Sequence, residues 1–410
     1  MRRPTLALLL GCLLLVAGVS ALDGYDYYQT IEYAGCDQEV YQQDIIIHRS
    51  AGTAYNETSG GLETWHIYVG EHCREDYGDI RFTNSTGAEL AYYLWPDYNS
   101  SSARVCIRLE GATSAGEVTV WYGNTGAATT SDGDATYEFF DHFDGTDLDS
   151  EKWDQTYIGS HTKSVSDSVF AHTATGAGVK VLLMKRDGST VDFAGNYTVT
   201  ARVKNSAVTT VNNRAGIVHK SSPNGYVAMV GGGTATANVP GIWGLNDGVG
   251  WGAKAKSVAS GTWYTLSARH SGSSLYYREG SDSWTAAAWS GRSGATGLEL
   301  SYASGVTASF DYVLVRAYSA TPPAALTFSG ERETLQPFPG CSNDPTDPDA
   351  DGLYEDINGN ARWDFQDITL FFQHLAWCEA NQPVSLFDWN SNGRCDFDDV
   401  FRLWSNGGMI

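Results

Sequence analysis

Between residues 42 and 124 the apolar positions fall into short alternating or continuous runs, "DIIIHR", "ETWHIYVG", "DIRFTN", "AELAYYLW", "ARVCIRLEG" and "EVTVWYG". Clusters of Gly, Asn and Ser separate them, and no helical period of any length intervenes. Alternation puts one parity of side chains on one face of a strand, so this stretch predicts an all-β sandwich. The texture continues over 137–318, where "YTVTARVK", "RAGIVHK", "GYVAMVGG", "TWYTLSARH", "SLYYREG" and "TGLELSYAS" predict a second, jelly-roll sandwich. The period changes only near the C-terminus. Ile368, Phe371, Phe372 and Leu375 stand at i, i+3, i+4, i+7, and Val400, Leu403 and Trp404 repeat the stripe in shorter form. That spacing predicts two helices. Prolines 322, 323, 337, 339, 345 and 348 crowd the stretch before them and predict a semi-extended linker. The expected organisation is a leader over 1–21, a β-sandwich over 22–136, a jelly roll over 137–318, a linker over 319–346 and a small helical module over 347–410. The fold class is therefore mainly β with a helical C-terminal module.

The leader is read from "MRRPTLALLLGCLLLVAGVSA": two arginines, an apolar run too short to span a membrane comfortably, and a small-residue cleavage site ending at Ala21. An exported, extracellular or surface-held protein is expected, with no other segment apolar enough for a transmembrane helix. Six cysteines remain after cleavage, Cys36, Cys73, Cys106, Cys341, Cys378 and Cys395, none in a CxxC pair. Export makes disulfides the expectation, with connectivity open. Asn56, Asn84, Asn99 and Asn196 head glycosylation sequons.

The net charge of −22 disfavours nucleic acid and anionic membranes as partners and suits cations. Residues 341–410 carry thirteen Asp and Glu against three Arg. Two stretches concentrate that charge: "DINGNARWDFQD", Asp356–Asp367, and "DWNSNGRCDFDD", Asp388–Asp399. They share Asp, Asn, Asn, Arg, Asp, Phe and Asp at positions 1, 3, 5, 7, 9, 10 and 12. Calcium takes about 6–8 oxygens, and a tight loop of the EF-hand type supplies them from those positions. The first site would use Asp356, Asn358, Asn360, the Arg362 carbonyl, Asp364 and Asp367; the second Asp388, Asn390, Asn392, the Arg394 carbonyl, Asp396 and Asp399. Two calcium ions are expected, with both arginine side chains facing solvent. Asx turns capping two helices are the competing reading of one such stretch, and its repetition argues against that. Position 6 needs positive φ; Gly393 complies, while Ala361 there costs roughly 1–2 kcal/mol, so the first site is expected to be the weaker. "DPDADG", with Asp347, Asp349 and Asp351, reads as an acidic linker or as extra ligands.

Three resemblances follow. "DYGDIRFTNSTGAELAYYLW", "ARVCIRLEG", "EVTVWYGN" and "GDATYEFFDHF" resemble the domain-of-unknown-function family 2341 over about 40–143, a family of secreted and surface microbial proteins without established chemistry. "YEFFDHFDGTDLDSEKW" and "SFDYVLVRAYS", which open and close 137–318, resemble laminin-G-like or concanavalin-like jelly rolls. The paired loop–helix units with Asp at position 12 resemble type I dockerins over about 351–406, which implies calcium-dependent attachment to a cohesin-like partner. In that family positions 10 and 11 contribute to partner choice. Here they are Phe365 and Gln366, and Phe397 and Asp398, and a partner surface or an internally packed pair of phenylalanines both remain open.

Dockerins travel with glycoside hydrolases, but no ExDxE or ExDxxE pair occurs over 137–318, nor GxSxG, HExxH or a Walker loop anywhere. Glu279 and Glu299 stand alone and read as solvated carboxylates on β surfaces. For sugar binding the candidates are Trp243 and Trp251 in "GIWGLNDGVGWGAK", where a Gly-rich loop could present indole faces, against packing inside the sheets. The expected function is non-catalytic: adhesion, glycan binding or assembly of an extracellular complex. A carbohydrate-active enzyme and a structural envelope subunit are the alternatives.

Overall fold

The computed structural model describes residues 22–155, 160–176, 178–208, 213–221, 224–231, 241–246, 250–272, 274–290, 295–302 and 304–406. The leader stretch and its cleavage site lie outside them. No helix among the described residues is long and apolar enough to cross a membrane. The chain forms two compact units, one of Gln29–Asn84 and Glu89–Gly330, the other of Met1–Tyr28, Ser85–Ala88 and Glu331–Ile410.

The larger unit holds both sandwiches. In the first, one sheet runs Tyr55–Ser59, Leu62–Tyr68, Val40–His48, Ser102–Glu110, Tyr92–Leu94. The other orders Ala325–Phe328, Tyr27–Tyr33, Gly116–Tyr122, Arg81–Asn84. The alternation seen in sequence is the packing rule: along Ser102–Glu110, Ala103, Val105, Ile107 and Leu109 are all buried. Ala325–Phe328 comes from the stretch expected to be linker. It pairs antiparallel with Tyr27–Tyr33, Ile31 opposite Phe328, because no proline falls between Pro323 and Pro337 and "ALTF" is free to donate to an edge.

The second sandwich is a jelly roll of two large sheets. One orders Trp153–Asp154, Gly178–Arg186, Ala295–Tyr302, Arg214–Ser221, Asn224–Gly231, Gly241–Asn246, Gly250–Lys256. The other orders His161–Ser166, Val169–Ala174, Thr307–Ala317, Tyr197–Asn205, Trp263–Ser271, Ser274–Glu279, Thr285–Ser290, with Phe139–Asp141 added beside Thr307–Ala317. The opening and closing sequences thus become neighbours, Phe139 opposite Val315 and Asp141 opposite Val313. Between the sheets lie Val199, Ala201, Val203, Leu266, Ala268, Phe310, Val313 and Val315, each fully buried. At roughly 1.5–3 kcal/mol per large apolar side chain, such layers supply the main stabilisation.

The two sandwiches are packed together within this unit. Trp95 and Cys106 of the first meet Tyr137, Phe140, Tyr312 and Leu314 of the second in one buried cluster. Trp95 and Tyr312 cross edge to face at 4.9 Å. Arg316 donates to Asp44 at 2.6 Å and the Ala317 amide to Gln42 Oε1 at 2.7 Å.

In the smaller unit, helices Phe365–Gln373, Leu375–Asn381 and Phe397–Asn406 enclose Phe338, Ile357, Ile368, Phe371, Cys378, Phe387, Cys395, Val400 and Leu403. The buried stripe is narrower than the sequence suggests. Ile368 and Phe371 are buried, as are Val400 and Leu403, while Phe372 and Trp404, each one residue further along, are about half exposed. Leu375 begins a separate helix, since the first ends at His374. None of the six cysteines is disulfide-bonded; the Cys378 and Cys395 sulfurs lie 2.9 Å apart in the core.

Candidate functional site

The two acidic stretches of the smaller unit fold alike. In the first loop both oxygens of Asp356 accept backbone N–H bonds, from Asn360 at 3.0 Å and Ala361 at 2.7 Å. In the second, Asp388 accepts from Asn392 at 3.0 Å and Gly393 at 2.7 Å. The carboxylate at position 12 closes each loop: Asp367 accepts from Asn358 (3.1 Å) and Asp364 (2.8 Å), Asp399 from Asn390 (3.1 Å) and Asp396 (2.9 Å). Positions 4 and 6 are left-handed in both, Gly359 and Ala361 at +64° and +62°, Ser391 and Gly393 at +59° and +82°.

Helix capping explains part of this. Asp364 caps Phe365–Gln373 through the Gln366 amide, and Asp367 completes a capping box. It does not explain why Asp356, Asp367 and Asp399 are fully buried, because a capping carboxylate works at the surface. Burial, and next to it the charges of Asp356 and Asp364, push the Asp367 carboxyl above its ordinary range against its backbone hydrogen bonds; Asp399 is raised likewise, with Asp388 and Asp396 as neighbours. Asn390 Oδ1, at position 3, is a buried acceptor with no hydrogen-bond partner. Converging buried oxygens in want of positive charge are the donor set a hard cation takes. Arg362 and Arg394 are exposed, so only their carbonyls are offered to the loops.

Upstream, Asp347, Asp349, Asp351 and Glu355 bring one carboxylate oxygen each to within 4.8 Å of one another, a group that could hold a metal ion. Burial first, then the three aspartates, push the Glu355 carboxyl up to about 7. Beside the loops, Phe365 and Phe397 at position 10 are about two-thirds exposed, and Phe372, Phe401 and Trp404 about half. The Phe372 and Phe397 rings meet edge to face at 5.9 Å. The position-10 phenylalanines therefore lie on the surface rather than in a packed interior.

The larger unit contains a cleft of about 720 Å³ that no single motif announces. Its floor is the outward parity of the jelly-roll sheet. Thr198, Thr200 and Arg202 alternate with buried Val199, Ala201 and Val203; Thr265, Ser267 and Arg269 alternate with buried Leu266 and Ala268. Register sets these side by side: Arg316 opposite Thr198, Thr198 opposite Arg269, Arg269 opposite Tyr276, and in the next row Leu314, Thr200, Ser267 and Arg278. Thr200 and Ser267 share a hydrogen bond at 3.0 Å. The first sandwich supplies the other wall, with Asp44, Gly60, Trp95, Asp97 and Arg104. Gly60 sits at φ +58° in the turn between Tyr55–Ser59 and Leu62–Tyr68, and a Cβ there would lie 2.2 Å from Arg278 Nη1. Its carbonyl accepts from Arg278 and from Trp284 Nε1, both at 3.2 Å. Each aspartate of the cleft is matched to an arginine: Asp44 to Arg316, Asp311 to Arg202 at 2.6 Å, Asp97 to Arg104 at 3.7 Å.

The residues singled out from sequence for sugar contact sit elsewhere. Trp243 lies in the strand Gly241–Asn246, not in a loop, and is buried with Val181, Leu183, Val218 and Met229. Trp251 lies in the paired strand Gly250–Lys256, opposite Leu245, and its side chain is outside the described residues. Glu299 is not a solvated surface carboxylate. It is fully buried and bonded to Arg214 at 2.5 Å. Glu279 pairs with Lys256. The cleft escaped sequence reading because its five arginines come from five separate strands; the one available signal was the polar parity of "TVTARVK" and "YTLSARH".

The family model described as "Domain of unknown function (DUF2341)" matches residues 76–156. No curated protein matches the chain. Among solved structures, the carbohydrate-binding module CBM66 from Bacillus subtilis is similar at 17% identity and TM-score 0.30, covering 40% of this chain and 96% of its own. The Emp47p carbohydrate recognition domain is similar at 11% identity and TM-score 0.34, covering 43% and 93%. A β-1,3-glucanase from Mycobacterium marinum is similar at 15% identity and TM-score 0.29, covering 44% and 98%. Scores of this size transfer neither ligand nor chemistry to this chain.

Proposed function

We propose that this is an exported, non-catalytic protein whose C-terminal unit takes two calcium ions and docks onto a protein partner of the cohesin type. The observation that carries the reading is the twinned hydrogen-bond scheme of Asp356–Asp367 and Asp388–Asp399 around buried carboxylates. Asp356, Asn358, Asn360, the Arg362 carbonyl, Asp364 and Asp367 would hold one ion; Asp388, Asn390, Asn392, the Arg394 carbonyl, Asp396 and Asp399 the other. The cations would supply no reaction. They would neutralise like charges that oppose folding of the loops, so that binding energy becomes folding energy. The docking surface is the exposed aromatic set, which recurs at matching places of the two copies: Phe365 with Phe397, and Phe372 with Trp404. Exposed aromatics at such density are unusual away from interfaces.

The test is a pull-down from the native extracellular fraction with the whole chain, with calcium and with chelator. A partner held in both conditions, or helicity indifferent to calcium, sinks the reading. A second activity, saccharide binding by the larger unit, is supported by the cleft, which combines the half-buried aromatics Trp284 and Tyr318 with a floor of hydroxyls.

A further inference from the structure

Building on the saccharide-binding reading, we propose that the cleft selects an acidic saccharide, one bearing a carboxylate or sulfate, and that Arg269 and Arg278 receive the anion. Five arginines line the cleft against three aspartates, a local positive excess in a chain of net charge −22. Those three aspartates are spent on Arg104, Arg202 and Arg316. Arg269 and Arg278 keep no carboxylate partner.

The Arg269 side chain makes no hydrogen bond or ion pair among the described residues. Its guanidinium lies 4.5 Å from the Tyr276 ring centre, 4.4 Å from Trp284 and 4.5 Å from Tyr318. Arg278 is 6% exposed, its guanidinium lies 4.3 Å from the Trp284 ring centre, and among the described residues that side chain donates only to the Gly60 carbonyl. The Nε atoms of both are buried without a partner. Burial lowers the Arg278 pKa to about 10, with Arg269 and Arg316 as like-charged neighbours, so the pair is costly as it stands. Asp282 is the acidic group that partly offsets this.

Aromatic contacts offset the charge of a guanidinium but satisfy none of its N–H donors, and with Nε buried it is the terminal Nη groups that an anion would meet. Two such N–H groups of a guanidinium can bond in parallel to a carboxylate or sulfate. A neutral sugar would bond to Thr198, Thr200, Thr265 and Ser267, yet leave both guanidiniums uncompensated. An acidic peptide would meet the arginines and bring backbone amides to the hydroxyl rows, so triglutamate is the competing ligand to separate.

The experiment is calorimetric titration of the mature full chain, at constant calcium, with trigalacturonate, a sulfated chondroitin disaccharide, cellotriose and triglutamate. One or both acidic sugars are expected to bind at least about tenfold tighter than cellotriose and triglutamate, and which of the two wins identifies the anion. Arg269→Gln is expected to lower that affinity about tenfold or more with the strand circular-dichroism signal retained, any fall in melting reporting the three ring contacts it gives up. Arg269→Lys, which keeps the charge without the fork, should fall between. Cellotriose binding as well as the acidic sugars overturns the anion selectivity and leaves saccharide binding standing; no saccharide binding removes both. Triglutamate binding as tightly overturns the sugar specificity. Undiminished affinity in both Arg269 variants overturns the placement.

Discussion

Ala361 and Gly393 hold the same place in the two acidic loops, both left-handed, at φ +62° and +82°, and both donate their backbone N–H to the first aspartate of the loop at 2.7 Å. The hydrogen bond that shapes the loop forces the conformation, and alanine bears a cost there that glycine does not. Ala361→Gly should therefore tighten calcium binding at the first loop by about 1 kcal/mol, roughly fivefold. Calorimetry on wild type should find the second site tighter, with the gap narrowed in the variant. A first site that is already the tighter one contradicts this.

Glu355 gives the calcium-free unit a pH dependence of known sign. Its carboxyl is raised to about 7 in the folded unit against an ordinary 4.5, so the folded state keeps a proton that the unfolded chain has released. Stability is thus lost as pH rises from about 4.5 to 7. The group is only partly buried, so screening leaves a loss on the order of 1 kcal/mol. Melting of the helical circular-dichroism signal in chelator, at pH 5 and pH 7.5, measures it. Glu355→Gln should flatten the upper part of the slope, leaving the lower part to Asp367 and Asp399, whose raised carboxyls act in the same direction.

Glu299 and Arg214 form an ion pair inside the jelly roll, both at 4% exposure or less. Removing one buried charge strands the other, so Glu299→Ala should cost about 3–5 kcal/mol in urea unfolding. A loss within about 0.5 kcal/mol would mean the carboxylate is surface-like after all.

Cys378 and Cys395 stand ready to be joined in an oxidising compartment, their sulfurs 2.9 Å apart across a separation of 17 residues. Closing a loop of that length stabilises by roughly 3 kcal/mol. Protein from an oxidising host should show two fewer titratable thiols than its reduced form, and dithiothreitol should lower the melting point of the helical signal. Cys378→Ser with Cys395→Ser should melt like the reduced protein.

Much of the architecture was legible because strand side chains obey a period of two. "ARVCIRLEG" and "YTVTARVK" announce which parity is buried, and Ala103, Val105 and Ile107, or Val199, Ala201 and Val203, obey it. The left-handed turn at Ala361 was equally readable, since contiguous residues impose it. The reading failed where the environment came from distant chain. "GLELSY" cannot reveal that Arg214 will lie against Glu299, nor "GIWGLN" that Trp243 will be covered by Val218 and Met229.

By itself, then, the chain's order of residues determined strands, helices and the two acidic loops, whose repeated Asp and Asn positions lie within twelve consecutive residues and depend on local turn geometry. Only the tertiary structure decided that Phe365 and Phe397 stay at the surface, and that Arg269, Arg278 and Arg316 share one cleft. The reason is physical. Local conformation follows from sterics and hydrogen bonds between near neighbours, whereas burial and charge balance are sums over whichever strands the register brings side by side.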